Sequence, residues 1–396
     1  MKAVSGLDVH KDTIFACILQ KGKDPFINEY TTLTCGIEEL DKDLQSMGVN
    51  LVAMESTGIY WIPVWKILEK HFKMILVNPY YIKQVPGRKT DVKDAQWIAT
   101  LLQKGLLKES FVAEGLLAEL RDYSRGYVRL CYQETRIEQT IEMQLIKCNI
   151  RITSLATKIG SASVMKIVKA ICEGETCPKK LEALVHMTIR NRHKGKVLQS
   201  LQGDIRTSDR LMLKQSYQQY QLIKEHQAEL VDQMNQICQE HFKSEMDVLC
   251  TVPGIKTLSS MQIIAETGIN MENFPTDKHL VSWAGLRPRN DESAGKIKSK
   301  RITHGNKYLR RVLVQCAWAA SRTKGSWFQS KFQQLCVRKS GKKALIAIAR
   351  QQRTICYQLL QKKQNYIAPI RVLSDKQREC KIKYLHKQLE ALLNMG

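Results

Sequence analysis

Over the first hundred residues the spacing of apolar positions changes several times. Segments 3–8, 13–19, 27–33, 51–54 and 73–77 are short, apolar or alternating, and read as β-strands. Segments 36–47, 60–72 and 92–103 space their apolar residues three and four apart and read as helices. The first three strands follow one another through short turns, which suits an antiparallel meander. The later strands are separated by helices, which suits crossover connections. Together they predict a mixed α/β sheet.

The pattern then turns wholly helical. From 116 to 155 there is no proline and one glycine, and Leu120, Tyr123, Tyr127, Leu130, Ile137, Ile141, Leu145, Cys148, Ile152 and Leu155 trace a narrow apolar seam interrupted at Glu134. A second long helix is expected over 208–242, with Ile223, Leu230, Met234, Ile237 and His241 on one stripe. Two such helices around an insert of shorter pieces predict an antiparallel coiled-coil arm. Such an arm can bridge subunits, hold a nucleic acid at a distance, or act as a spacer. After Cys250, the stretch TVPGIKTLSSMQIIAETG sets a Pro-Gly turn before an apolar helix, resembling a helix-hairpin-helix binder of phosphate backbones. From Ser330 the chain stays basic and helical, through Lys342, Lys343, Arg350 and Arg353, and thins into a charged, partly disordered end. The expected class is α/β plus α. The expected division is an α/β domain over 1–112, a helical arm with its insert over 113–247, a mostly helical domain over 248–330, and a basic helical extension over 331–396.

Charge narrows the partners. Lys and Arg number 62 against 38 Asp and Glu among 396 residues, a formal net charge of +24, which predicts a polyanion and above all nucleic acid. Nine of those cations fall between Arg287 and Arg311 (Arg287, Arg289, Lys296, Lys298, Lys300, Arg301, Lys307, Arg310 and Arg311), against Asp291 and Glu292. Gly295, Gly305 and Asn306 break this run into loops suited to phosphodiester contact. No run of eighteen apolar residues and no signal-peptide pattern is present, so a cytoplasmic protein without membrane attachment is expected. The twelve cysteines are scattered, with Cys131, Cys148, Cys238 and Cys316 at apolar helix positions. Cys172 and Cys177 lie close together, but no second pair completes a zinc site.

Four carboxylates stand at element boundaries. Asp8 sits where the first strand runs out, Glu55 directly follows the apolar strand LVAM, and Asp91 and Asp94 open a helix on one face. Taken singly, each has a plain structural role as turn residue, N-cap or first-turn acid. Ser293, in ESAG, likewise reads as a turn residue. Brought together, four oxygen donors would select Mg²⁺ or Mn²⁺ over zinc. A pair of such ions can serve both sides of a phosphodiester displacement.

GLDVHK, MESTGIYW, KTDVKDA, PGI, SWAGLRPR, SAGK and RITHGNKYLRR, in that order, resemble the insertion-sequence-110 family of transposases, the DEDD-type enzymes grouped as bridge-RNA-guided recombinases. The resemblance covers about 1–110 and 248–325. It implies an RNase H/RuvC-like domain over 1–112 whose acidic set, matching Asp8, Glu55, Asp91 and Asp94, binds Mg²⁺, with Mn²⁺ able to substitute. It implies a transposase domain over 248–330 with a nucleophilic serine matching Ser293. The family pattern more often doubles the serine and the glycine there, where this chain has Glu292-Ser293-Ala294-Gly295. It further implies a dimer or tetramer in which the acids of one subunit meet the serine of another. A structured noncoding guide RNA pairs with donor and target DNA. Lys11, Arg88 and Lys89 beside the acids, together with the cations of 287–311, become nucleic-acid contacts, and the location becomes nucleoid-associated in a bacterial or archaeal cell. Two rival readings use the same residues differently. One is a resolvase-like nuclease with water as nucleophile; the other is a non-catalytic RNA-binding scaffold.

Overall fold

The structure is a computed structural model that describes residues 3–56, 58–79, 91–288, 291–293, 296–299, 301–369 and scattered helical positions beyond 370; the side chains of Asp91, Val92 and residues 291–299 lie outside the description. The chain divides into two compact units, Met1–Val112 and Ala113–Gly396.

In the first unit β1 (Ala3–Val9), β2 (Thr13–Leu19) and β3 (Phe26–Thr31) form the meander. Helix α1 (Thr34–Ser46) returns the chain to β4 (Val49–Glu55), parallel to β1. Helix α2 (Trp61–Leu68) leads to β5 (Lys73–Val77), parallel to β4, giving the order β3-β2-β1-β4-β5. Alternation then decides the layers. Leu7, Val9, Ile14, Val52, Met54 and Leu76 face α1 and α2, packing with Ile37, Leu40, Leu44, Val64 and Leu68. Val4, Ala53 and Val77 face the other way, with Cys17, onto α3 (Asp91–Gln103), whose Ala95, Ile98, Ala99 and Leu102 are buried. Each fully buried Leu or Ile here contributes about 1.5–3 kcal/mol.

In the second unit α4 (Gly115–Lys147) and α9 (Thr207–His241) lie side by side and antiparallel. Lys224 Nζ stands 3.3 Å from Glu134 Oε1, the Gln144 side-chain amide donates to the Met212 carbonyl, and Lys147 Nζ lies 2.9 Å from Asp209 Oδ1. Glu134, the interruption in the apolar seam, is bound by Lys224 and by the Gln227 amide. The helix expected over 116–155 stops at Lys147. Asn149 turns left-handed at φ 57°, and the Ile150 N–H donates back to the Leu145 carbonyl. Cys148, Ile152 and Leu155 continue the apolar pattern because they pack in a core with Ile141 and Leu145, not because the helix continues. The insert closes that core with α5 (Ala162–Cys172), α6 (Pro178–Ala183), α7 (Met187–Arg192) and α8 (Lys196–Ser200).

The rest comprises α10 (Lys243–Cys250), α11 (Thr257–Thr267), α12 (Asp277–Trp283), the strands β6 (Asp291–Ser293) and β7 (Lys296–Ser299), α13 (Lys307–Ala320), α14 (Trp327–Cys336) and α15 (Gly341–Lys362). The Pro253-Gly254 turn does join two helices, but its glycine answers to packing. At φ +89°, a Cβ on Gly254 would lie 2.3 Å from the Cys316 carbonyl oxygen of α13. The last helix, α15, is a core element, with Ile348, Cys356 and Leu360 buried. The expectation of disorder at the chain end falls outside the described residues.

Candidate active site

The carboxylates of the first unit are positioned by sheet register. Leu7 pairs with Met54 across the parallel β1/β4 ladder, so Asp8 and Glu55 are the next residues along adjacent strands and share a face. That face is the one covered by α3. A Cβ on Gly6, two residues before Asp8, would come within 2.3 Å of the Ala99 nitrogen and 2.5 Å of the Ala95 carbonyl oxygen. Gly6 therefore lets the helix backbone rest on the strand. Gly6 meets Ala95 and Ala99, while Val4 shares a cluster with Ile98 and Leu102. The N-terminal end of α3 thus lies toward Asp8, and Asp94 stands one turn before Ile98 on the sheet-facing stripe. The backbone of Asp91 opens the helix.

Asp8 is half-buried, with its side chain 14% exposed and Oδ2 3.3 Å from His10 Nε2. Glu55 ends β4 next to Ser56, whose N–H donates to the Val77 carbonyl. Among the described residues, to which the Asp91 side chain does not belong, no three His, Cys, Asp or Glu side chains converge closely enough to hold a metal ion. The donor set at this sheet end is all carboxylate oxygen apart from His10, which fits a hard divalent cation and not zinc.

Ser293 ends β6 and pairs with Lys296, at the tip of a two-stranded hairpin. The glycine-broken stretch read as loops is here a ladder, extended at its base by a bridge between Pro288 and Ile302 and by the Thr303 N–H donating to the Arg287 carbonyl at 2.8 Å. Below it Gly285 and Gly305 lie back to back, since a Cβ on Gly305 would sit 2.4 Å from the Gly285 nitrogen. Asn306 donates its N–H to the Trp283 carbonyl and caps α13 by accepting from the N–H groups of Tyr308 and Leu309.

Asn306 also reaches a buried ion network invisible to sequence reasoning. Its side-chain amide donates to Glu266 Oε2 at 2.6 Å, and Arg125 grips both Glu266 oxygens at 2.8 and 2.9 Å. Arg121 donates to the carbonyls of Ala265 and Glu266 at the end of α11. Desolvation lowers the Arg121 guanidinium to about 10. The sequence shows only an acid inside the apolar run IIAETG; that Arg121 and Arg125 of α4 meet it is decided by packing. Of the predicted cations, Lys11, Arg287, Arg301 and Lys307 are exposed and Arg310 and Arg311 are half-buried. Arg88, Lys89, Arg289 and Lys300 lie outside the described residues, as do the side chains of Lys296 and Lys298.

A DEDD-type transposase profile of the IS110 group matches residues 5–149, and one described as transposase of the IS116/IS110/IS902 family matches residues 246–333. The chain belongs to the IS110 family of transposases. Pilin gene-inverting proteins of Moraxella lacunata and Moraxella bovis are each 26% identical to this transposase, over 382 and 376 residues, in both cases 91% of this chain and 96% of the relative. An insertion element IS110 uncharacterized 43.6 kDa protein of Streptomyces coelicolor is 27% identical over 139 residues, 35% of this chain and 34% of that protein. The IS110-family transposase is thus an enzyme of DNA recombination that acts on DNA, and its DEDD domain implies dependence on a divalent metal. Among the described residues no helix is long and apolar enough to cross a membrane.

Proposed function

We propose that this transposase cleaves and exchanges DNA strands with Ser293 as nucleophile, and that Asp8, Glu55, Asp91 and Asp94 hold Mg²⁺, or Mn²⁺ in its place. The observation that carries this reading is the register that makes Asp8 and Glu55 neighbours at one sheet end, on the face covered by α3 with Asp94 on its inner stripe. The strand order β3-β2-β1-β4-β5, a meander followed by two parallel strands, supports the RNase H-like assignment of the unit. Held by those carboxylates, divalent ions would supply positive charge that stabilises the phosphodiester displacement. The serine Oγ loses its proton as it bonds to phosphorus, the P–O3′ bond breaks, and the freed 3′-oxygen takes up a proton. Attack by a 3′-hydroxyl of the other duplex reverses these changes and releases the serine. One ester is made for each one broken, so the exchange consumes no ATP.

The remaining assignments follow the basic surface. Lys11, Arg88, Lys89 and the cations from Arg287 to Arg311 hold phosphates of donor and target DNA. A structured noncoding RNA, bound by the first unit and the long helices, supplies sequence choice by pairing with both duplexes. The working form is a dimer or tetramer in which acids and serine come from different copies, acting at the nucleoid.

The test is Ser293→Ala in the full-length transposase with junction DNA. Denaturing electrophoresis should show loss of a covalent protein–DNA adduct and of exchange products, while RNA retention in a gel-shift assay persists. Normal exchange by this variant would remove serine from the chemistry and leave a nuclease that uses water.

A further inference from the structure

One surface of the second unit is used neither by the acids nor by the serine hairpin. On α13, Leu309, Val312, Leu313, Cys316, Ala317 and Ala320 are buried, so the opposite stripe, from the half-buried Arg311 through Gln315 and Trp318, is left outward, and Arg322 continues it in the turn after the helix. Trp318 is 46% exposed, and the Arg322 guanidinium lies 3.7 Å from the centre of its ring. On α4 a matching stripe runs through Arg129, Tyr132 and Arg136, all exposed, with Tyr132 at 61%. The two stripes meet, because Arg311 lies 4.8 Å over the Tyr132 ring and donates to the Val128 carbonyl at 3.5 Å.

Charge on this face has one sign. From Lys307 to Lys324 the chain carries Lys307, Arg310, Arg311, Arg322 and Lys324 and no acid. The nearby acids on α4 are Glu134, which is engaged by Lys224 and Gln227 of α9, and Glu138, which is buried. An outward tryptophan or tyrosine costs solvation unless something covers it, and two of them, each beneath a guanidinium, offer flat planes amid positive charge. Duplex DNA hides its base faces and meets a protein through phosphates and groove edges, so it has no use for such planes. An unpaired strand presents both base faces and phosphates, and aromatic planes among cations fit it.

We infer that the α4/α13 face is a platform for an unpaired polynucleotide strand, on which bases stack against Tyr132, Trp318 and the guanidiniums of Arg311 and Arg322 while Arg129, Arg136 and Lys324 hold phosphates. The platform stands apart from the strand-transfer chemistry, so Ser293→Ala leaves it intact. Its strand is DNA left unpaired at the recombination site, an assignment that rests on the strand exchange proposed above.

The experiment measures fluorescence anisotropy of full-length protein with labelled dT₂₀, U₂₀ and a 20-bp duplex. Tyr132→Ala with Trp318→Ala should weaken single-strand binding about tenfold or more, leave duplex binding within about twofold, and leave the melting temperature unchanged. Trp318→Phe, which keeps a ring, should restore most of the loss that Trp318→Ala alone causes. Arg129→Ala and Arg136→Ala should each lower the salt dependence of single-strand binding by about one charge. The loss should appear with dT₂₀; a loss confined to U₂₀ would make the strand RNA and overturn the assignment. Equal losses for single strand and duplex, or no loss for either, overturn the inference. So does a change of oligomeric state without a change in strand affinity, which would make the face a protein interface.

Discussion

The two units treat charge in opposite ways. In the α/β unit both layers against the sheet are apolar, and the candidate acids stand at the rim where strands end. In the helical unit charge is part of the interior: Glu266 and Arg353 are each 1% exposed, and Arg121 is buried as well. The difference is geometric. A sheet satisfies its backbone groups laterally and sends alternate side chains to opposite faces, so functional groups project from strand ends without entering the core. Helices that end inside a packed unit leave carbonyls unbonded, and Arg121 meets those at the end of α11. A partner acid and a capping amide then complete the network, which ties α4 and α11 to the start of α13, beneath the serine hairpin.

Three substitutions test that contrast. The largest effect should come at the rim, on activity alone: Asp8→Asn should abolish exchange, read as recombined junctions by quantitative PCR, with the thermal midpoint nearly unchanged. The pair with His10 is close to solvent and worth under about 1 kcal/mol. A large loss of stability in this variant would erase the distinction between rim and core.

In the helical interior the same kind of change should act on stability. Glu266→Ala leaves Arg125 and Asn306 without their acceptor, and breaking a buried pair in this way costs about 3–5 kcal/mol. Denaturant midpoints should fall accordingly, and limited proteolysis should open the region of α11 and α13 first.

The smallest effect, of opposite sign, is expected at Arg353, whose Nε and Nη2 find no hydrogen-bond partner among the described residues. Desolvation lowers its guanidinium to about 9, with Cys356 and Asp277 countering in part. The native state therefore holds this proton less firmly than the unfolded chain, and the charge weighs against folding throughout neutral pH. The penalty is fully present below about 9 and shrinks as pH rises through that value. Arg353→Met should raise the melting temperature at pH 7 by a few degrees, and its advantage should narrow above pH 9. An advantage independent of pH would assign it to packing instead of charge.

Much of the first unit is legible along the chain because short, mostly apolar runs bounded by turns mark strands covered on both faces. Val4, Gly6 and Asp8 alternate with Ala3, Ser5, Leu7 and Val9, and the crossover helices separate the later strands as their spacing suggests. What alternation cannot reveal is that Gly6, Ala95 and Ala99 are small for one shared reason, the close approach of α3 to β1. The helical unit is less legible. Its seam predicts two long helices, yet Ile152 and Leu155 extend the apolar pattern past the point where the helix ends. Arg353 belongs to a basic helical run in which nothing sets it apart from its neighbours, yet it is buried in the packing.

By itself the sequence determined the period of each element, the sign of the charge and the order of motifs that marks an IS110-family transposase. Those properties are local or additive and need no knowledge of which elements meet. Only the tertiary structure decided that Asp8 and Glu55 share one edge of the sheet, that Glu266 joins three helices, and that Tyr132 and Trp318 belong to one face. Each of these depends on a contact between distant positions, whose free energy comes from burial and register and leaves no periodic trace along the chain.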